Sequence, residues 1–433
     1  MLRVLSCGLS LAALTLCASA DSTLPGFSLA RQPSPMGAAT TCSLADGDFV
    51  TFDGLSVDRW NSDGSLELHL WTAPAFVYAS FVEVTPGGTA VVVGDSGNGS
   101  TVSGDLHLVQ LDGSGATWIA SVPYNYDGAF LPSGELIVSA AQGGFGTGND
   151  LVRVSLAPPS AVVIGHVDGP SGPVAVTRTG DVLYATQASG FPPPVGSTDV
   201  VKWSASQLAA GAFLDDANAI VLGTGFDPIG SLAVDGLKGR IYAAENNFTT
   251  GSYRVLRVKS TGASSIALAV SDTWISGLRF RSLGGNATFD AYQPDDGLSL
   301  VYETTDFWTL NDLVTIAPAR PVLSVSGPGV SGVGTVSLAI SGGVPNGSAL
   351  MSYCPQTAIL PAEASYPLPK FLHHTPFVLS QTTRFEFLIP LDATGAGQLD
   401  LYNPGGLSGL YGWQTLVGNA AGVLIGSTNP VQF

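Results

Sequence analysis

Three aspartates, Asp127, Asp168 and Asp227, stand in the stretches YNYDG (124–128), DGPSG (168–172) and DPIGS (227–231), each just ahead of a short apolar run. Tyr126 lies beside the first, and Tyr78 and Trp274 occupy the matching stretches FVYAS (76–80) and TWISG (273–277). Carboxylates drawn to one point would hold a divalent metal such as Ca²⁺, which takes oxygen ligands, whereas acids flanked by aromatic rings would bind a sugar stacked on the ring faces. A plainer alternative stands beside both, because an Asp at a turn accepts hydrogen bonds from the backbone N–H groups that follow it. The small residues Ser80, Gly128, Gly172, Gly230 and Gly277 in the same stretches are expected where strands pack tightly around an axis and the chain must turn closely. Glu245 and Asn246 carry the same two readings.

Other chemistry finds little support. His69, His107 and His166 sit in alternating apolar hairpins, and His373 and His374 are neighbours in a Pro-bounded loop, where adjacent side chains point apart. No G-x-S-x-G elbow, H-E-x-x-H pair or Walker loop is present, and GGFGTGND (143–150) has glycines for a phosphate nest but no Lys. No catalytic residue is therefore assigned, and the metal remains unspecified.

The elements that would position these residues are strands. One phrase recurs, a short apolar run, a Gly turn and a second apolar run, and its turn glycines Gly88, Gly134, Gly180, Gly239 and Gly285 are 46, 46, 59 and 46 residues apart. The long interval contains SASQLAAGAFLDDAN (204–218), which reads as a short helical insertion. A second alternating pair follows each phrase, as in DLHLVQLDGSGATWIASV (105–122), so each repeat holds two hairpins and makes a four-stranded antiparallel sheet. Radial repetition of such sheets is a β-propeller. Six repeats fit between Cys42 and Ala317, with the residues before Cys42 completing the terminal blade; seven blades are the alternative and need a further repeat within residues 21–50.

The segments GDVLYATQASG, GRIYAAENN and YRVLRVKSTG resemble the repeat phrasing of the NHL and SMP-30/gluconolactonase-like six-bladed propellers. The resemblance covers about 270 residues and rests on structural motifs, so it implies the fold more than an activity. What it implies about activity is lactone hydrolysis around a channel metal held by Glu, Asn and Asp from different blades. That set has no residue-by-residue counterpart here.

After Ala317-Pro318-Ala319-Arg320-Pro321 the period stops, and short strands divided by Gly, Pro and Asn turns suggest a β-sandwich over residues 318–433. VSLAISGGVPNGS (336–348), IPLDATGAGQ (389–398) and GLYGWQTLV (409–417) resemble the terminal domain of secreted proteins of environmental bacteria, which implies an accessory or attachment role.

At the amino end, Arg3, an apolar stretch from Val4 to Leu16 and Ala18-Ser19-Ala20 read as a signal peptide over residues 1–20, so the chain is expected to be secreted, extracellular or periplasmic. Its removal leaves Cys42 and Cys354, for which a disulfide and two buried thiols are both open. The 433 residues carry 33 acidic against 16 basic side chains, a net charge of −17 that argues against nucleic acid as a partner. No apolar run is long enough for a membrane helix. The expectation is an all-β, monomeric, secreted propeller that binds a small molecule, glycan or protein, with a metal-dependent lactonase as the alternative.

Overall fold

In the computed structural model, the residues described are 21–23, 27–35, 38–97, 104–143, 148–189, 193–234, 239–258, 265–281, 299–305, 310–318, 322–327, 333–343, 346–355, 384–403, 411–418, 424–428 and 431–432. The expectations for His373 and His374, and the side chain of Cys354, lie outside them. Up to Pro318 the described residues form six antiparallel sheets, each built outward from an inner strand in chain order. The inner strands are β1 (Thr40–Ser43), β2 (Ala79–Val84), β3 (Asn125–Phe130), β4 (Val174–Val176), β5 (Ile229–Val234) and β6 (Trp274–Arg281). Each inner strand touches the next, and β6 touches β1, so the inner strands close a ring around an axis. This is a β-propeller, all-β as the period-two patterning anticipates.

The packing follows from strand geometry. Successive side chains face opposite sides of a sheet, so a sheet buried on both sides needs an unbroken apolar run. In the strand Ala90–Asp95, Val91 and Val93 pack against the first sheet while Val92 packs against the third. Leu183 and Ala185 join the layer shared with the fifth sheet, and Val182 and Tyr184 the layer shared with the third. Apolar clusters fill the remaining gaps, including the closing one, where Phe49 meets Val301 and Leu313.

Two departures from the repeat have local causes. The strand Phe27–Pro33 pairs with Leu310–Pro318 from Phe27↔Pro318 to Pro33↔Asp312, so the amino-terminal segment supplies the outer strand of the sixth sheet. The long repeat interval holds the helix α1 (Ala205–Ala209), started by a Ser204/Gln207 capping box, and the strand Leu214–Asp215, which pairs in parallel with the outer strand of the third sheet.

Beyond Pro318, Val322–Ser326, Gly334–Ser341 and Gly397–Asn403 form one sheet, and Ser348–Pro355, Arg384–Pro390, Tyr411–Gly418 and Leu424–Ser427 belong to another. Leu323, Leu338 and Ile340 of the first share an apolar cluster with Ala349, Met351, Trp413 and Val417 of the second.

Candidate functional site: the axial channel

Four inner strands skip register against their neighbours at one residue each. The residue is Ser80 in β2, Tyr126 in β3, Gly230 in β5 and Ser276 in β6, while β1 and β4 pair without a break. A bulge of this kind leaves one residue out of the ladder and re-aims it. All four residues line one cavity of about 390 Å³ at one end of the ring. A second cavity of about 250 Å³ includes Cys42 and Glu83, and the two share Asp127, Ser231 and Arg279.

The register sets what lies beneath the bulges. One residue past each skip come Phe81, Asp127, Ser231 and Gly277, and three past it come Glu83 and Arg279 on the two strands flanking β1. Arg279 Nε lies 3.2 Å from Glu303 Oε1, and its Nη1 is 4.0 Å from Glu83 Oε2. Thr41 of β1 donates to the same Glu303 oxygen, linking the first and sixth sheets. Glu303 crosses β6 at Gly277, where a Cβ would stand 2.2 Å from Glu303 Oε2. Here the glycine provides clearance for a carboxylate. Gly128 does the same for the Phe81 ring, 2.7 Å from where its Cβ would be. Neither has a positive φ, so close approach rather than a tight turn accounts for both.

Asp127 Oδ1 accepts from Gly128 N at 2.9 Å and Oδ2 from Val174 N at 3.1 Å, tying β3 to β4. Burial pushes its carboxyl up to about 6, with Arg279 and the two amides pulling the other way. Burial likewise pushes Glu83 up to about 7, again opposed by Arg279. Arg279 is held above its ordinary value: burial opposes its charge, and Glu303 and Glu83 outweigh that.

Of the residues expected from sequence, Tyr126, Asp127 and Trp274 line the mouth cavity. Tyr126 donates from its hydroxyl to Gly230 O at 3.3 Å, and Trp274 stands edge-on to Phe248 at 5.1 Å. Tyr78, Asp168 and Asp227 are not among its lining residues. Tyr78 is 49% exposed and packs edge-on against Phe76. The Asp168 amide donates to Asp216 Oδ2, and Asp227 accepts from Gly196 N at 3.1 Å and Asn247 Nδ2 at 2.8 Å. Asp127, Asp168 and Asp227 therefore do not meet at one point. Glu245 is buried and paired with Arg254 at 2.8 Å, and Asn246 bridges to Ile275 N and O in the neighbouring sheet.

Cys42 carries a free, buried thiol, and its pairing with Cys354 falls outside the described side chains. Cys42 is 2% exposed within the apolar layer between the first and second sheets. Burial pushes this thiol up to about 12. The other chemical residues of the channel, Glu83, Arg279, Glu303 and Ser276, were not proposed from sequence as binding residues. Alternation in FVEV (81–84) leaves the facing of Glu83 undecided between the channel and a neighbouring sheet until the strand is paired. His69 and His166 lie on outer strands, bonded to Asp58 at 2.7 Å and Asp150 at 2.8 Å, remote in register from the inner ring.

Among the described residues, no group of three or more His, Cys, Asp and Glu side chains is placed to hold a metal ion. The donor set agrees, since the cation Arg279 already stands among Glu303, Glu83 and Asp127. Among the described residues no helix is long and apolar enough to cross a membrane.

No family model and no curated protein matches the chain. The structure is similar to solved structures of low identity. A gluconolactonase from Xanthomonas campestris is 14% identical with a TM-score of 0.47, the match covering 67% of this chain and 89% of that one. The PQQ-bound aldose sugar dehydrogenase of Streptomyces coelicolor is 10% identical with a TM-score of 0.45, over 68% of this chain and 100% of that one. A chain of the mitotic checkpoint complex is 13% identical with a TM-score of 0.42, over 73% and 98%.

Proposed function

We propose that the chain is a secreted six-bladed propeller, residues 21–317, which binds a small hydroxyl-bearing molecule in the mouth cavity of its axial channel. Residues 1–20 act as the leader and residues 318–433 as a β-sandwich attachment module. The observation that carries the binding reading is the repeated register skip, which turns Ser80, Tyr126 and Ser276 from three separate sheets toward one cavity with Asp127 beneath them. Convergent polar groups with aromatic walls in a concave space are the usual form of a small-molecule site. Isothermal titration with a panel of sugars and open-chain polyols tests it. Saturable binding is expected, and it is expected to vanish when Ser276→Trp fills the cavity. Binding that persists in that variant, or no binding by any member of the panel, refutes the reading.

A lactone hydrolase is the second reading, favoured by one feature. The Asp127 carboxyl, raised to about 6 and facing the cavity, has the proton affinity suited to a general base near neutral pH, where it could deprotonate a water attacking an ester carbonyl. The divalent metal of gluconolactonase-like enzymes does not fit the channel acids, because Arg279 already stands among them. Hydrolysis of gluconolactone, unchanged by EDTA and abolished by Asp127→Asn, would support this reading over binding alone.

A further inference from the structure

We propose that the occupant of the mouth cavity is a small cation, a protonated amine bearing hydroxyl groups. The inference rests on the binding reading above and specifies its ligand. Asp127, Glu83 and Glu303 bring three carboxyl groups to the channel against one guanidinium, that of Arg279. Arg279 is committed to Glu303 at 3.2 Å, with Glu83 at 4.0 Å. Asp127 has backbone amides as its hydrogen-bond partners and, among the described residues, no ion pair, so Arg279 acts on it only at longer range. A carboxylate withdrawn from water with its counter-charge held on other acids is costly, so below about pH 6 it carries a proton when no ligand is bound. An ammonium group entering the mouth would supply the missing charge and release that proton.

The rest of the cavity suits such a ligand. Tyr126 and Trp274 offer aromatic surface to a cation. Ser276, on the cavity wall, has a hydroxyl shielded from solvent and without a hydrogen-bond partner among the described residues, so a rotation of this short side chain toward the cavity would pair it with a ligand hydroxyl. An anion would meet the surplus acid in a chain of net charge −17. The titratable groups facing Asp127 are Arg279, Glu303, Glu83 and Tyr126, and none of them provides a second free positive charge.

Three near-isosteric open-chain polyols decide the matter: glucamine as the cation, sorbitol as the neutral member and gluconate as the anion. At pH 7.5, titration calorimetry of the full chain is expected to give glucamine an affinity at least about tenfold above sorbitol, with gluconate weakest. Asp127→Asn is expected to bring glucamine down to the level of sorbitol. At pH 6, glucamine binding to the unaltered protein is expected to release protons, read as a dependence of the heat on the buffer's ionisation enthalpy; this arm needs no variant to fold. Sorbitol binding as tightly as glucamine, or gluconate more tightly, overturns the cation while leaving the cavity as a binding site. Glucamine binding without proton release also overturns it. Failure of all three to bind overturns the binding reading itself.

Discussion

The channel and the loops around its mouth both carry acids, yet they hold them in opposite ways. Asp168 and Asp227 sit in the loops leading to inner strands, and Asp227 accepts from a backbone amide and an Asn side chain in solvent-reachable turns. Asp127 and Glu83 lie on the inner strands themselves, where burial pushes their carboxyls up to about 6 and about 7. The difference is one of register. Relative to the skipped residues, Asp127 is one position past Tyr126, whereas Asp227 is three positions before Gly230. Four positions along the chain separate an acid that stabilises a turn from one that shapes a cavity.

The comparison is broken most severely by disturbing the channel. Gly277→Val is expected to destabilise the protein by about 2–4 kcal/mol in urea denaturation, because the new side chain displaces Glu303 from Thr41 and Arg279. Gly87→Ala, at a hairpin turn where a Cβ meets nothing closer than 4.0 Å, is expected to change stability by less than about 0.5 kcal/mol. A Gly277 variant as stable as this control would mean that Glu303 does not cross β6.

Arg279→Met is expected to cost about 2–3 kcal/mol, since it leaves Glu303 and Glu83 without their cation. Adding Glu303→Gln should recover part of that loss. A double variant as unstable as the sum of the two single ones would deny the coupling.

Stability should also respond to pH through the channel acids. Asp127 and Glu83 bind protons more tightly in the fold, at about 6 and about 7, than at their ordinary values of 3.8 and 4.5. The folded state then carries more protons than the unfolded chain, so this contribution is fully present below about pH 4 and is lost as pH rises through about 7. Glu83 keeps 30% side-chain exposure, so solvent screens its share of the effect. Denaturation midpoints of the Asp127→Asn variant should show a visibly smaller decline over that range than those of the unaltered protein. Identical profiles would remove Asp127 from the buried set.

The loop acid should give the smallest effect. Asp168→Asn is expected to shift stability by less than about 0.5 kcal/mol and to leave ligand titrations unchanged, because its carboxylate is exposed and does not line the cavity.

Local chemistry made much of the fold readable. Gly88, Gly134 and Gly180 have positive φ at hairpin turns, where glycine is the residue of least strain, and their equal spacing reports the sheet repeat. Ser204 with Gln207 marked the helical insertion in the same way. The site was harder to read. Aligning the loops on Ser80, Gly128, Gly230 and Gly277 sets Asp127 level with Ala79, Ile229 and Ser276, whereas the observed pairing places it level with Phe81, Ser231 and Gly277. Those glycines are small for separate reasons, Gly277 for the Glu303 carboxylate and Gly128 for the Phe81 ring.

The sequence by itself determined that this chain builds short antiparallel strands in a repeat of about 46 residues, because turn glycines and period-two apolar runs act over neighbouring residues. Only the tertiary structure decided which of its acids face the axis. Each inner strand presents alternating faces, and a one-residue skip against its partner exchanges them. That exchange depends on pairing with a second strand and on closure of the ring, neither of which a single strand's sequence contains.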